Sequence, residues 1–261
     1  MQPDVASRAE LERVHPSTYL DSLIDATPRS GLNWLDADTG LCLVSWDAAL
    51  YAAGAGIRAV DDILAGKYQR AFCNVRPPGH HAESAQAMGF CIINNVAVAA
   101  AHALAQPGIG KIAIVDFDVH HGNGTEQIFN NDERVLLISS FQHPLYPYSG
   151  IEPHSGYVPL PLPAQTDSAG FRDAWQKNGL PALAAFKPDI VFISAGFDGH
   201  RDDPLAGLNL LEDDYAWLTH EVCRIADQCA QGRVVSMLEG GYDLDALGRS
   251  AVAHIGALLN D

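Results

Sequence analysis

The sequence has no run of 18 apolar residues, so it predicts no membrane-spanning helix. Its first 15 residues, MQPDVASRAELERVH, carry charges where a signal peptide would have an apolar stretch. The five cysteines are odd in number, and no two of them have C-x-x-C spacing. These absences predict a cytoplasmic protein whose thiols are reduced.

Basic residues are also scarce. The 261 residues include 16 Lys and Arg against 32 Asp and Glu, which gives a formal net charge of −16. A nucleic-acid partner is therefore not expected, because binding to duplex DNA requires clustered basic residues. No G-x-S-x-G or P-loop motif occurs, and GAGIRA at 54–59 lacks the last glycine of a dinucleotide-binding loop.

The apolar pattern predicts an α/β protein. Short runs rich in β-branched and aromatic residues alternate with longer segments that have helical spacing. We predict a single three-layer domain over residues 1–261, with a mainly parallel central sheet and helices on both faces. The predicted strands are 70–75, 111–118, 134–139, 189–196 and 233–241, and the predicted helices are 45–64, 94–105, 170–186 and 212–229.

Chemically reactive residues follow four of the five predicted strands. Functional sites in parallel sheets lie beyond the carboxyl ends of the strands, so we expect these residues to meet in one place. The segments are RPPGHH after 70–75, DFDVHHGNG after 111–115, AGFDGH after 189–194 and EGGYD after 233–238.

Three of these residues form a candidate metal site. Asp118 and His120 are two positions apart, and on an extended strand both side chains would point to the same side. Asp198 could add a third ligand from the end of another strand. One imidazole and two carboxylates suit a catalytic Zn²⁺ or another divalent ion. The alternative for an isolated D-x-H is a polar turn in which the two side chains bond each other.

Two adjacent histidines and a tyrosine are candidates for catalysis. His80 and His81 could transfer protons, with Asp116 and Asn123 each supplying one orienting partner. Tyr242 follows two glycines and could donate a hydrogen bond to a developing oxyanion. The alternatives are a solvated loop for the histidines and a core position for the tyrosine.

The quoted motifs resemble those of the histone deacetylase superfamily, which has the arginase–deacetylase fold. The resemblance covers essentially the whole chain, and Asn123 together with LEGGYD favours the class II-like branch and its bacterial relatives. The matching segments, in order, are RVHPSTYLDSL, RPPGHHAE, MGFCIINNVAVAA, VDFDVHHGNGTE, SAGFDGHRDDPLAG and LEGGYDL.

The resemblance implies a role for each candidate residue. Asp118, His120 and Asp198 would bind Zn²⁺, with Fe²⁺ or Co²⁺ as alternatives. The implied catalytic residues are His81 as general base and acid, His80 paired with Asp116 as its charged neighbour, Asn123 beside His81, and Tyr242 on the substrate carbonyl. The implied substrate-contacting residues are Gly89, Phe90, Tyr146, Leu205 and Gly240.

The resemblance also implies structural potassium. The first K⁺ would lie at the carbonyls of Asp116, Asp118 and His120, with Ser139 and Ser140, and the second at Phe129 and Val135. One departure from the family pattern concerns the start of the chain. Relatives usually begin several dozen residues earlier, with a strand and a loop that we expect to be lacking here.

The implied activity is removal of an acyl group from an acyl-lysine peptide or a small acylated amine. Three alternatives stay open: a binuclear manganese ureohydrolase, an acetylpolyamine deacetylase, and a non-catalytic module that binds acyl-lysine. One metal is favoured over two, because His121 follows His120 without an Asp two positions further on. Neither a membrane nor a nucleic acid is an expected partner, and a homo-oligomer is possible.

Overall fold

The computed structural model describes residues 3–259, and its centre is a parallel sheet of six strands. The strand order is β3-β8-β7-β4-β5-β6, and every neighbouring pair is parallel. These strands are β3 Arg70–Cys73, β4 Ile112–Asp116, β5 Val135–Gln142, β6 Tyr157–Leu162, β7 Ile190–Ala195 and β8 Val234–Leu238. A separate antiparallel pair consists of β1 Asn33–Trp34 and β2 Gly40–Leu41.

Helices lie between most of the strands, except between β1 and β2 and between β5 and β6. The two longest, α3 Ser45–Leu64 and α8 Glu212–Cys229, have the predicted bounds. The others are α1 Arg8–Leu11, α2 Ser17–Ala26, α4 Asn95–Leu104, α5 Asn123–Phe129, α6 Ser168–Ala174, α7 Leu180–Phe186 and α9 Leu244–Leu259. Within residues 3–259, no helix is both long and apolar enough to span a membrane.

Both faces of the sheet are buried, which explains why its central strands read as continuous apolar runs. Successive residues of a strand point to opposite faces. Val115 and Ile193 accordingly lie in one apolar cluster, whereas their neighbours Ile114 and Phe192 lie in another. The predicted α/β fold with helices around a parallel sheet is therefore confirmed.

The sequence pattern missed strand β6. Its sequence, YVPLPL, contains two prolines, which lack the N–H group needed inside a sheet. Because β6 is an edge strand paired only with β5, Pro159 and Pro161 need no partner on its open side.

The predicted helix 170–186 is interrupted by a π-helical turn. Trp175–Gly179 forms this turn between α6 and α7. Pro181 has no N–H for the α-helical ladder, and a Cβ on Gly179 would collide with the Trp175 ring. A wider turn accommodates both features, as π-bulges do elsewhere.

Candidate active site at the carboxyl edge of the sheet

The reactive segments meet because their strands are neighbours. The strands that precede them, β3, β8, β7 and β4, are consecutive in the sheet. Parallel pairing brings all four carboxyl ends to the same edge. The predicted convergence of the four segments is therefore present in the structure.

Asp118, His120 and Asp198 form a cluster that could hold a metal ion. One ligand atom from each lies within 4.8 Å of the others. His120 Nδ1 is 3.1 Å from Asp118 Oδ1 and 3.2 Å from Asp198 Oδ2. Both carboxylates are buried, whereas the His120 side chain is 12% exposed on the side of the cavity described below.

Asp118 and His120 were expected to lie on one side of an extended strand, and this expectation was wrong. Strand β4 ends at Asp116, so Asp118 and His120 lie in a bend and not on an extended strand. Asp118 Oδ1 accepts the backbone N–H of His120 at 2.9 Å, which closes the bend locally. A second contact comes from Gly240, whose N–H donates to Asp118 Oδ2 at 2.9 Å. A Cβ on Gly240 would collide with Asp198, so only glycine allows this approach.

The electrostatics of the cluster favour a bound cation. Burial and the charge of Asp118 raise the pKa of Asp198 to about 6. Burial lowers the pKa of His120, but its hydrogen bonds to Asp118 and Asp198 outweigh this and raise it to about 10. A divalent ion can take over the role of that proton, since metal ligands bind in their deprotonated forms. One nitrogen and two carboxylate oxygens with an open side fit a catalytic zinc ion.

Each of the two adjacent histidines has the partner expected for it. His80 Nδ1 lies 3.0 Å from Asp116 Oδ2, and His81 Nδ1 lies 2.8 Å from Asn123 Oδ1. The Asn123 amide nitrogen donates to Glu83 at 3.0 Å, so its oxygen faces His81. His81 must then donate from Nδ1, which leaves the lone pair of Nε2 free to accept a proton.

These partners give the histidines opposite charge preferences. Burial alone would lower the pKa of His80, but Asp118 and Asp116 hold it well above its usual value. Burial and the positive charge of His80 hold the pKa of His81 well below the ordinary range. His80 is therefore a fixed charge, and His81 is a neutral imidazole able to act as a base.

A cavity of about 270 Å³ opens onto these groups. His80, His81 and His120 lie on its wall. All five residues expected to contact a substrate also line it, namely Gly89, Phe90, Tyr146, Leu205 and Gly240. Gly89 has φ +57°, and a Cβ there would collide with the His81 ring, so this turn requires glycine.

Tyr242 lines the same cavity. Among the described residues, its hydroxyl has no hydrogen-bond partner, unlike that of a satisfied core tyrosine. Burial and the charges of Asp198 and Asp118 hold its pKa above the usual value, which keeps the phenol protonated. The hydroxyl can therefore donate to an oxygen of a bound molecule.

Sequence reasoning missed two buried acids that shape the site. Glu239 accepts hydrogen bonds from the backbone N–H groups of Gly79 (2.6 Å) and His80 (3.1 Å) and from Ser194 Oγ (2.9 Å). It thereby holds the turn that carries both histidines. Burial raises the pKa of Glu239 to about 7.

Asp203 holds the loop that carries Tyr242 in the same way, by accepting hydrogen bonds from backbone N–H groups. Its carboxylate accepts from the N–H groups of Tyr242 (2.7 Å), Asp243 (3.3 Å) and Leu205 (3.0 Å). Both acids stand inside quoted motifs, as the first residue of EGGYD and the acid before Pro204. Their positions were visible in the sequence, but their contacts were not.

The expected first potassium position contains polar groups without protein partners. Asp116 pairs with Ser139 across β4 and β5. The hydroxyls of Ser139 and Ser140 are both buried, and neither has a hydrogen-bond partner among the described residues. Adjacent residues of a strand point to opposite faces, so only one of these hydroxyls can face a given ion.

Comparisons with known proteins bear on the family and the fold of the chain. The profile of the histone deacetylase domain matches residues 1–258. The chain is 41% identical over 247 residues to a type-2 histone deacetylase 2 of Dictyostelium discoideum, covering 86% of this chain and 14% of that protein. A probable deacetylase of Archaeoglobus fulgidus is 38% identical, with 94% of this chain and 69% of that protein covered. The crystal structure of the HDA15 HD domain superposes with a TM-score of 0.92 at 36% identity, covering all of this chain and 77% of that one.

Proposed function

The chain belongs to the histone deacetylase family, and on this premise we propose that it is a zinc-dependent amidohydrolase that removes acetyl or acyl groups from an amine such as acetyl-lysine. The observation that carries the proposal is the shared cavity wall. A neutral imidazole, the His120 member of the metal-ligand cluster and a phenol without a hydrogen-bond partner in residues 3–259 all face one space of about 270 Å³. Hydrolysis of an amide needs a base, an electrophile and a donor to the oxyanion, and these groups supply each of them.

The metal would supply the electrophile. Asp118, His120 and Asp198 would hold a zinc ion, which when bound would polarise a carbonyl and lower the pKa of a water molecule. His120 lies on the cavity wall, so a ligand in the cavity could reach the cluster, as a catalytic zinc site requires. Fe²⁺ or Co²⁺ could occupy the same three ligands.

His81 would accept the proton of the attacking water through Nε2. Its Nδ1 is held by Asn123, a neutral partner that adds no negative charge to stabilise the protonated form. The amide nitrogen of the substrate must gain a proton before it leaves, and the protonated His81 can return one. The fixed positive charge of His80 keeps His81 ready to release that proton.

Tyr242 would donate its hydroxyl hydrogen to the carbonyl oxygen as negative charge develops there. No described residue competes for the hydroxyl, so the donor is already available before the reaction. Asp203 holds the backbone of this loop through the N–H of Tyr242. An oriented donor of this kind contributes mainly in the transition state.

Acyl-lysine peptides are the substrate class that we favour. Leu205 lines the cavity directly after Asp203-Pro204. This neutral side chain offers no attraction for a polycation. The cavity wall also includes the rings of Phe90, Tyr146 and Tyr242, which suits an extended aliphatic chain.

A small acylated polyamine is the second candidate. Asp38 lines the mouth of the cavity, and its carboxylate could attract a cationic amine. A non-catalytic acyl-lysine binder is a weaker candidate, because the ligand cluster and Tyr242 are both present.

One experiment tests these proposals together. The purified protein is loaded with zinc and assayed on acetyl-lysine peptides and on acetylated polyamines, with metal analysis of the same sample. We expect turnover of the peptides and about one catalytic metal ion per chain. Two metal ions would favour the binuclear ureohydrolase, and binding without turnover would favour the non-catalytic module. Faster turnover of polyamines would reverse the order of the two deacetylase candidates.

Three further expectations are part of this proposal. A structural K⁺ would bind near Asp116 with the Ser139 hydroxyl, whose burial without a partner supports such a site. The second position at Phe129 and Val135 stays a prediction. The cytoplasmic location and a possible homo-oligomer also stay predictions.

A further inference from the structure

A second cavity shares part of its wall with the first. It has a volume of about 350 Å³ and lies beside the amino-terminal end of helix α3. Phe90 and Pro78 line both cavities, so the two spaces are neighbours separated by these side chains. A volume of this size falls within the range of about 300–1,000 Å³ typical of ligand pockets.

The lining of this second cavity is mostly apolar. Leu41, Val44, Ala48 and Ile92 contribute aliphatic surface to it. Two of its apolar residues are notably open to solvent, since Val44 is 59% and Phe90 40% exposed. Because these exposed side chains line one cavity, they offer an apolar surface on which an apolar group could bind.

The wall is held in place by specific contacts. Ser45 Oγ accepts the N–H of Cys42 at 2.9 Å and lies 3.3 Å from its thiol. On the other side, the N–H of Phe90 donates to Thr39 Oγ1 at 3.1 Å. These contacts preform the cavity, so little ordering is needed when a ligand enters.

One charged group in the wall of this cavity determines which side chains are favoured there. Arg76 lines the cavity, and its guanidinium donates to the Glu239 carbonyl oxygen at 3.0 Å. A permanent positive charge at this position disfavours a lysine or arginine side chain and does not oppose an aliphatic one.

We propose that this cavity, which we name the flank groove, binds an apolar side chain adjacent to the acylated lysine of a peptide or protein substrate. The proposal rests on the proposed deacylase function and narrows its substrate class. The acyl-lysine occupies the first cavity, and the neighbouring residue crosses Phe90 into the flank groove. A small acylated amine has no side chain to place there.

The test compares kcat/KM for matched acetyl-lysine peptides that carry Leu, Ser or Lys beside the acetylated residue, on either side of it. Acetyl-lysine amide, which has no flanking residue, is the reference substrate. We expect the Leu peptide to exceed the Ser peptide by about tenfold at one of the two positions, in line with partial burial of an aliphatic side chain. The Lys peptide should be the poorest.

A matched pair of variants tests whether the preference for the Leu peptide depends on the flank groove. Val44→Ser removes an apolar wall of the flank groove, whereas Leu43→Ser changes a neighbour of similar exposure (58%) that does not line it. Val44 is the N-cap of α3, where serine is a preferred residue, so this substitution should not harm the fold. We expect Val44→Ser to reduce the Leu-to-Ser ratio several-fold and Leu43→Ser to leave it unchanged. Both variants should keep wild-type activity on acetyl-lysine amide.

Alkylation of Cys42 provides an independent test. Cys42 lines the flank groove and is partly exposed, and the hydrogen bond with Ser45 lowers its thiol pKa. N-ethylmaleimide should add a bulky group there and abolish the Leu preference in the wild type but not in Cys42→Ser. N-ethylmaleimide can also react with the partly exposed Cys229. The Cys42→Ser variant controls for this reaction because it retains Cys229.

The outcomes distinguish a failure of the flank-groove proposal from a failure of the proposed deacylase function. Activity on acetyl-lysine amide with equal rates for the Leu, Ser and Lys peptides would overturn the flank groove and leave the deacylase function intact. A Leu preference that survives both Val44→Ser and alkylation would also overturn it. No activity on any acyl-lysine substrate would overturn the deacylase function and the groove's occupant together.

Discussion

Two sites with buried histidines show that the hydrogen-bond partners of a buried imidazole determine its charge and its role. His80 and His81, at the carboxyl edge of the sheet, are 2% and 4% exposed, and His254 in helix α9 is fully buried. His80 contacts carboxylates and is held charged. His254 lies between two hydroxyls, with Thr219 Oγ1 at 2.6 Å and Ser236 Oγ at 2.7 Å.

The second cluster is complete without any further molecule. The Thr219 hydroxyl donates to the carbonyl of Tyr215 at 2.6 Å, so it must accept from His254 Nδ1–H. His254 Nε2 then accepts from Ser236, and both nitrogens are satisfied. Burial lowers the pKa of His254 to about 3, which keeps it neutral.

The active-site cluster differs because it is incomplete. Within residues 3–259, the lone pair of His81 Nε2 and the hydroxyl of Tyr242 have no hydrogen-bond partner, and both side chains line a cavity. Burial is common to both clusters, but of these two clusters the one at the sheet edge has unsatisfied groups beside carboxylates and the one around His254 does not. Changes there should therefore reduce activity and changes around His254 should reduce stability, and four experiments test this division.

Asp198→Ala should have the largest effect. The substitution removes one of the three proposed metal ligands and leaves His120 with a single carboxylate. We expect the loss of both bound metal and measurable turnover, with the fold retained. Asp202→Ala is the matched control, since that carboxylate is 46% exposed and lies outside the ligand cluster. Metal content and rate close to wild type in Asp198→Ala would refute the ligand assignment.

The two adjacent histidines should differ in their effects. His81→Ala removes the proposed base and should lower turnover by about 10²–10⁴-fold, the usual contribution of a general acid–base residue. His80→Ala removes a charge one residue away and should cost less, while shifting the pH dependence of kcat. Rates are measured across pH with metal content held equal. Near-normal turnover in His81→Ala combined with an inactive His80→Ala would reverse the two roles.

Tyr242→Phe should come next in size. It keeps the ring on the cavity wall and removes only the hydroxyl donor. Turnover should fall by roughly 10²–10³-fold, as for the loss of one oxyanion-hole donor. Metal content, melting temperature and the affinity for a hydroxamate chelator should change little. An unchanged rate with a lowered melting temperature would remove Tyr242 from the mechanism.

The sequence predicted the location of this site better than its local geometry. Strand ends could be recognised because buried parallel strands are continuous apolar runs that stop at polar residues, as Val115 gives way to Asp116. The bend that brings Asp118 and His120 together could not, because it depends on hydrogen bonds from Gly240 and His120. One of these partners lies more than a hundred residues away.

Elements with an atypical composition were missed for a related reason. Strand β6 contains two prolines, and proline has a low propensity for strands. The two prolines are tolerated because β6 lies at the edge of the sheet. Glu239 likewise looks like an ordinary acid in a turn. Its role comes from two backbone N–H groups at Gly79 and His80, some 160 residues earlier in the chain.

The smallest predicted effect concerns His254 and the dependence of stability on pH. Its pKa is about 3 in the folded protein and 6.5 in the unfolded chain. Between these values the unfolded chain binds a proton that the folded protein does not, so stability falls as the pH drops below 6.5. From pH 7.5 to pH 5 this one group should cost about 2 kcal/mol of unfolding free energy.

His254→Gln isolates this contribution, because the glutamine amide can still bond a hydroxyl but does not titrate in this range. The free energy of unfolding is measured by urea denaturation of the wild type and the variant at both pH values. The variant should be less stable than the wild type at pH 7.5, because one amide cannot replace both ring nitrogens, and the gap should narrow by about 2 kcal/mol at pH 5. Turnover at pH 7.5 should be unaffected, since His254 lines neither cavity described above. Parallel pH dependences would mean that His254 takes up a proton in the folded protein as readily as in the unfolded chain, and the contrast with His80 would then fail.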